Sequence, residues 1–240
     1  MSDLPTAHTL QAARLAPLFG FFVLLTGAAP ALAAQTIPSP YTFLERRQES
    51  GPFAGYMWAN SGRFGYGPKG GVHAGGRWGF ELGGPASLEG VAGLLMGERD
   101  VIDPGRDEGD RVIGQAPVLI STVDARLKFS LVGRRHWRGL SPFLVFGGGA
   151  AIDLAGAAAI DESLLAADRF DFGTGFFGTV GAGTRVFLTE SVAFRIDGVL
   201  SLWKLDTPPG FSDPERGFEA VEEDEWSEGV TLSLSFMYRW

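Results

Sequence analysis

The residues whose types and spacing could do chemistry are few. His73, Arg77 and Glu81 recur at intervals of four, and Ser87 and Glu89 follow. A histidine passing a proton between a serine and a carboxylate would activate a hydroxyl for acyl transfer. On a strand, His73, Arg77 and Glu81 share one face, but nothing in their spacing fixes the depth of Ser87 or Glu89 against them. The reading favoured for His73 is therefore a structural histidine near one end of a sheet. His8 precedes a long apolar run, and His136 stands in the basic turn Arg134-Arg135-His136-Trp137-Arg138, which reads as an interfacial turn anchored by Trp137.

Carboxylates supply the second candidate chemistry. Eight of them fall between Asp213 and Glu228, including Glu222-Glu223-Asp224-Glu225, and six lie between Glu98 and Arg111. Such oxygens are hard ligands for Ca²⁺ or Mg²⁺, yet the spacing matches no EF-hand, so a solvated acidic face is the expectation and no metal is assigned. The glycine clusters Gly147-Gly148-Gly149 and Gly181-Ala182-Gly183 lack the strand-to-helix context of a phosphate loop, and no cofactor is expected. With no cysteine there is neither a disulfide nor a thiol nucleophile, and a formal net charge of -8 argues against nucleic acid as a partner.

The elements that must position these residues are strands. From Val230 to Trp240, the side chains of Val230, Leu232, Leu234, Phe236, Tyr238 and Trp240 alternate with Thr231, Ser233, Ser235, Met237 and Arg239. This is a period-two strand, apolar on one face only and long enough to cross a bilayer when tilted. In hydrocarbon every backbone N–H and C=O must be paired, so such a strand implies a closed barrel. Further amphipathic segments run over Val118–Leu131, Phe172–Leu188 and Val192–Leu205. Four weaker ones lie at Phe53–Ala59, Val72–Leu82, Ala86–Gly97 and Pro142–Leu154. The count is eight, with ten as the alternative. Thirty-five glycines suit sharply curved strands and a narrow interior.

Arg14, the apolar run Leu15–Ala29 and the small-residue site Ala31-Leu32-Ala33 together predict a cleaved signal peptide over 1–33. Residues 34–51 are then a lead-in, and 52–240 the barrel. Tight links at Gly83-Gly84-Pro85 and Thr189-Glu190-Ser191, and a moderate one at Gly133–Gly139, alternate with long polar stretches. The link near Ser61–Tyr66 is the one brief exception on the long side.

On these grounds the segment Phe53–Trp240, with its aromatic terminal run Phe236-Met237-Tyr238-Arg239-Trp240, resembles the small outer-membrane β-barrels of the OmpA transmembrane domain and OmpX type. The resemblance implies an all-β, closed, antiparallel up-and-down transmembrane barrel in the bacterial outer membrane, both termini periplasmic. It implies outer-membrane lipids as surroundings and recognition of the last strand by the barrel-assembly machinery. A monomer is expected.

A soluble barrel would reverse the faces. An eight-stranded wall, however, has an interior that side chains nearly fill, and the bulky faces here oppose faces rich in Gly, Ser, Thr and Ala. The terminal strand's apolar face is therefore assigned to lipid. The interior is assigned an ionic network of Arg77, Glu81, Glu89, Asp124, Arg126, Lys128, Arg185, Arg195, Asp197 and Arg239, with Phe177, Phe187 and Trp203 also inward. The functional expectation is a non-enzymatic barrel with a structural, adhesive or surface-protective role through acidic outer loops. The alternatives are a narrow ion or solute channel and a lipid-modifying barrel enzyme using His73.

Overall fold

The computed structural model describes residues 39–218 and 221–240. The expected signal peptide over 1–33, and residues 34–38 of the lead-in, lie outside them. Ten strands follow in order: β1 Tyr41–Phe43, β2 Gln48–Ala59, β3 Pro68–Gly83, β4 Ala86–Ile102, β5 Val112–Ser130, β6 Arg135–Trp137, β7 Leu140–Asp153, β8 Thr174–Phe187, β9 Val192–Asp206 and β10 Asp224–Arg239. Eight of these form one closed antiparallel wall. Neighbours in sequence pair throughout, β5 pairs with β7, β7 with β8, and β10 returns to β2 to close the cylinder. The two remaining strands, β1 and β6, are three-residue pieces outside the wall. This settles eight against ten.

The alternation of apolar and small or polar residues dictates the register. Along β10, Thr231, Ser233, Ser235, Met237 and Arg239 are buried, while Leu234 is 61% and Phe236 45% exposed on the outside. A slip of one residue would exchange these two sets, so the pattern strongly specifies the pairing. In β5 the buried set is Thr122, Asp124, Lys128 and their alternating neighbours. Gly93, on β4, shows why small residues are needed inside: a Cβ there would lie 2.7 Å from His73 Nε2 and 2.9 Å from the ring of Phe53.

The structure moves two strand boundaries of the sequence reading and gives the lead-in its form. The barrel begins at Gln48 rather than 52, so the last four residues of the assigned lead-in belong to the wall. The sequence reading starts this strand at Phe53, just after Pro52, which cannot donate to a ladder. The β2–β10 ladder does skip from Phe53–Ser235 to Ser50–Tyr238, as expected where proline offers no N–H. Second, the described remainder of the lead-in, residues 39–47, is an extended strap. β1 pairs with β6, Arg46 Nη1 donates to the Arg239 carbonyl at 2.9 Å, and Glu81 N donates to the Arg47 carbonyl at 2.8 Å. Third, β8 starts at Thr174, so Phe172 precedes it and packs against the core instead of continuing the outward row.

The connections sort by end. Turns at 84–85, 131–139 and 188–191 lie at one end with the strap. Links at 60–67, 103–111, 154–173 and 207–223 lie at the other.

Candidate functional site

The interior has two halves of opposite chemistry. Toward the short turns all ten residues assigned to the ionic network are buried, each 8% exposed or less. The structure adds Glu49 to them. Arg77 Nη1 lies 3.0 Å from Asp197, which lies 3.1 Å from Arg195 Nε. Arg195 continues to Glu89, and Glu89 to Lys128 at 3.7 Å. Lys128 pairs with Glu49, which also holds Arg185 at 2.9 Å and Arg239 at 3.8 Å. Glu81 closes the series between Arg239 at 3.7 Å and Arg134 at 3.1 Å. Asp124 and Arg126 form a separate pair on one strand. Hydroxyls take two further donors, with Arg77 Nη2 donating to Ser233 and Arg185 Nη2 to Ser141, both at 3.2 Å.

Charges taken out of water are tolerated only when paired and hydrogen-bonded, so strand position and ionic partner depend on each other. Glu49 was missed because its strand was assigned to the lead-in. The row Glu49, Gly51, Phe53, Gly55, Met57, alternating with Trp58 and Tyr56, was the available signal.

Toward the long loops the interior turns apolar. Met57, Leu95, Val118, Ile120, Ala151, Trp203 and Leu205 form one buried cluster with loop aromatics. Trp203 thus points inward as assigned. Phe177 packs partly buried against the cluster, and Phe187 lies at the ionic end, 5.4 Å beneath the Arg185 guanidinium and 5.1 Å from that of Arg239.

Over the apolar half sits a cap that sequence reasoning did not find. Phe211 lies 5.1 Å from Phe64, 5.3 Å from Tyr66 and 5.8 Å from Phe218, and Tyr66 lies 4.9 Å from Phe170. These rings come from three different links, and no periodicity connects them.

Ion pairs tie the same links down. Arg99, at the top of β4, meets Asp161 at 2.5 Å, and Arg216 meets Asp168 at 2.7 Å. Gly210 is packed beneath the second pair, because a Cβ there would fall 1.7 Å from Asp168 Oδ1. Gly210→Ala is therefore expected to displace the pair and lower stability by about 1–3 kcal/mol, as overpacking does. Chemical denaturation of the folded barrel would check it.

Glu225 is also committed inside the rim: it accepts from Arg63 N at 3.0 Å, and the Tyr66 hydroxyl lies 3.1 Å from it. Burial pushes the Tyr66 phenol up from its ordinary 10.0 to about 12, opposed by the Thr207 hydroxyl and reinforced by the Glu225 carboxylate. Unfolding releases a tyrosine that ionises sooner, so the cap's contribution is complete below pH 10 and falls as the pH rises toward 12. Tyr66→Phe should flatten that stretch of a stability-against-pH curve.

Between the two halves is a cavity of about 50 Å³. Its lining includes His73, Trp203 and Thr231, whose Nδ1, Nε1 and Oγ1 have no protein hydrogen-bond partner among the described residues. Such a space suits roughly three waters.

His73 Nε2 lies 3.2 Å from Thr122 Oγ1. Ser87 pairs with Glu81, eight residues further along β3 from His73, or about 26 Å at the rise of a strand. The two cannot form one acyl-transfer set. Among the described residues no three His, Asp or Glu converge as metal ligands.

No family model and no curated protein matches the chain. Solved structures do. The outer membrane protein OprG from Pseudomonas aeruginosa superposes with a TM-score of 0.51 at 10% identity, covering 81% of this chain and 96% of OprG. The chain has the fold of OprG. Two further matches are looser. Ail of Yersinia pestis, in complex with the heparin analogue sucrose octasulfate, gives 0.39 at 12% identity over 80% of this chain and 99% of Ail. The N-terminal β-barrel domain of Pseudomonas aeruginosa OprF gives 0.39 at 14% over 80% and 98%.

Proposed function

We propose that this chain is an integral barrel of the bacterial outer membrane, with lipid around the wall and both termini in the periplasm. The observation carrying this reading is the inversion of a soluble protein's faces. Leu232, Leu234, Phe236 and Trp58 stand outside at 45–61% exposure, while Arg195, Lys128 and Asp197 are 0–1% exposed within. Water would favour the reverse, and an apolar contiguous exterior of this extent calls for an apolar surrounding. A closed wall also leaves no sheet edge to pair with a second copy, which supports a monomer.

The role we assign is structural, adhesive or surface-protective and not enzymatic. Thirteen acidic residues against five basic ones fall in the sequence of the four long-end links, and the ion pairs described tie down those at 154–173 and 207–223. A fixed acidic rim is suited to presentation outside the cell. The ionic half and the cap both fill the lumen, which disfavours a channel, and planar-bilayer recordings should show no steady current. The enclosed position of His73 disfavours a lipid-modifying enzyme, so lipid A should have the same mass with and without the protein.

Membrane fractionation with a heat-modifiability gel tests the assignment. The wild-type chain should be found in the outer-membrane fraction and shift only on boiling. Leu234→Lys, which puts a charge on the proposed lipid face, should lose about 2–4 kcal/mol of folding energy in bilayers, the cost of a mid-bilayer lysine. Extraction in the soluble periplasmic fraction would overturn the reading.

A further inference from the structure

The strap end of the barrel is charged oppositely to the loop end. There the strap and turns carry Arg46, Arg47, Arg134, Arg135 and Arg138 against Glu45 and Glu190. Cross-strand register fixes what the basic turn displays. Tyr41 pairs with Trp137, Phe43 with Arg135, and Trp137 also with Leu140 of β7. Directly paired residues share a face, and Leu140 begins the outward row of β7 with Leu144 and Phe146. The ribbon of β1 and β6 is thus a continuation of the outer wall, with Tyr41, Phe43, Arg135 and Trp137 all exposed on its outward side.

The guanidinium groups on this side divide into two kinds. Arg134 is committed to Glu81 and to the Leu44 and Glu45 carbonyls, and it covers the Phe43 ring at 4.8 Å. Arg135 and Arg138 are exposed and have no carboxylate partner among the described residues. Arg138 reaches over Trp137 at 5.6 Å. Its backbone is unusual too. Arg138 has φ 49° and Gly139 φ 86°, a two-residue hairpin turn of the type that favours Asn-Gly. An arginine held in the left-handed region, at the tip of an aromatic ribbon, is a costly choice for a turn and points to a use for its charge.

We propose that this ribbon binds the phosphate of an anionic phospholipid in the leaflet at the strap end. The glycerol region would lie against Trp137 and Tyr41, and the phosphate would be held between Arg135 and Arg138. Guanidinium groups take phosphate oxygens in bidentate fashion, and aromatic rings settle at the headgroup level. The acidic loop end would repel the same lipid, so the barrel's charge distribution matches one leaflet only.

This rests on the membrane reading above, and the test separates the two. Full-length protein folded in neutral detergent would be mixed with phosphatidylglycerol or phosphatidylcholine of the same acyl chains, and retained lipid counted by native mass spectrometry. Wild type should retain phosphatidylglycerol several-fold more. The double variant Arg135→Gln/Arg138→Asn should lose that preference, and Arg106→Gln, at the loop end, should keep it. Equal retention of the two lipids by wild type, an unchanged preference in the double variant, or competition by an equal concentration of free glycerol phosphate would overturn the proposal. Heat-modifiability of the same samples reports the barrel itself, so a chain that never folds in detergent counts against the membrane reading and not against the headgroup site.

Discussion

Glu49→Ala should cost the folded barrel about 3–5 kcal/mol, the range for removing one partner of a buried ion pair. Glu49 is the meeting point of Lys128, Arg185 and Arg239, and its carboxylate is the nearest negative group to two of them. Without it, three cations face one another with only Glu81 and Glu89 within reach, at 3.7–3.9 Å. Urea or heat unfolding followed by the gel shift would measure the loss. Glu49→Gln should lose nearly as much, because an amide keeps the shape and not the charge. If both variants unfold with the wild-type midpoint, the ionic half does not hold the wall together.

The second large effect is expected at the cap. Phe211 is 1% exposed and touches three other rings, so Phe211→Ala should remove about 3–5 kcal/mol, as for other buried phenylalanines cut to alanine. Unlike the first variant, this one should act locally. The links at 60–67 and 207–223 should become cleavable by added protease while the gel shift survives, because the wall's own ladders are untouched. Bilayer recordings on this variant separate the two seals: the ionic half alone should still stop current.

Sequence showed the wall well and the loops poorly. A strand with one side in lipid and one in a narrow lumen must alternate, so Leu234 against Ser233 and Leu127 against Lys128 were legible from composition alone. The ten charged interior positions followed from the same parity. What parity cannot carry is depth. It placed His73 and Glu81 on one face, as they are, but could not show that Ser87 lies eight residues from His73 along that face. Glu49 escaped because its strand was read from Phe53, just after Pro52, and Phe172 because alternation ran on by chance past the strand's end. The cap of Phe64, Tyr66, Phe170, Phe211 and Phe218 has no local signature, since its rings meet only after the wall has brought separate links to one rim. Arg99–Asp161 and Arg216–Asp168 were hidden for the same reason, since each pair joins residues of different segments.

The proline in the first strand of the wall has a consequence for how the cylinder is completed. Its strand meets β10, the last of the wall, at the seam that closes the cylinder. With no N–H at Pro52, and with the Phe236 carbonyl close beside Gly51, the seam skips two residue pairs between Phe53–Ser235 and Ser50–Tyr238. The join between the chain's beginning and its end is thus the least backbone-bonded line on the perimeter at that height. Below the gap the pairing resumes from Ser50–Tyr238 to the reciprocal bonds of Gln48 and Trp240, and Arg46 and Arg239, each donating to the other's carbonyl, fasten the seam at the strap end.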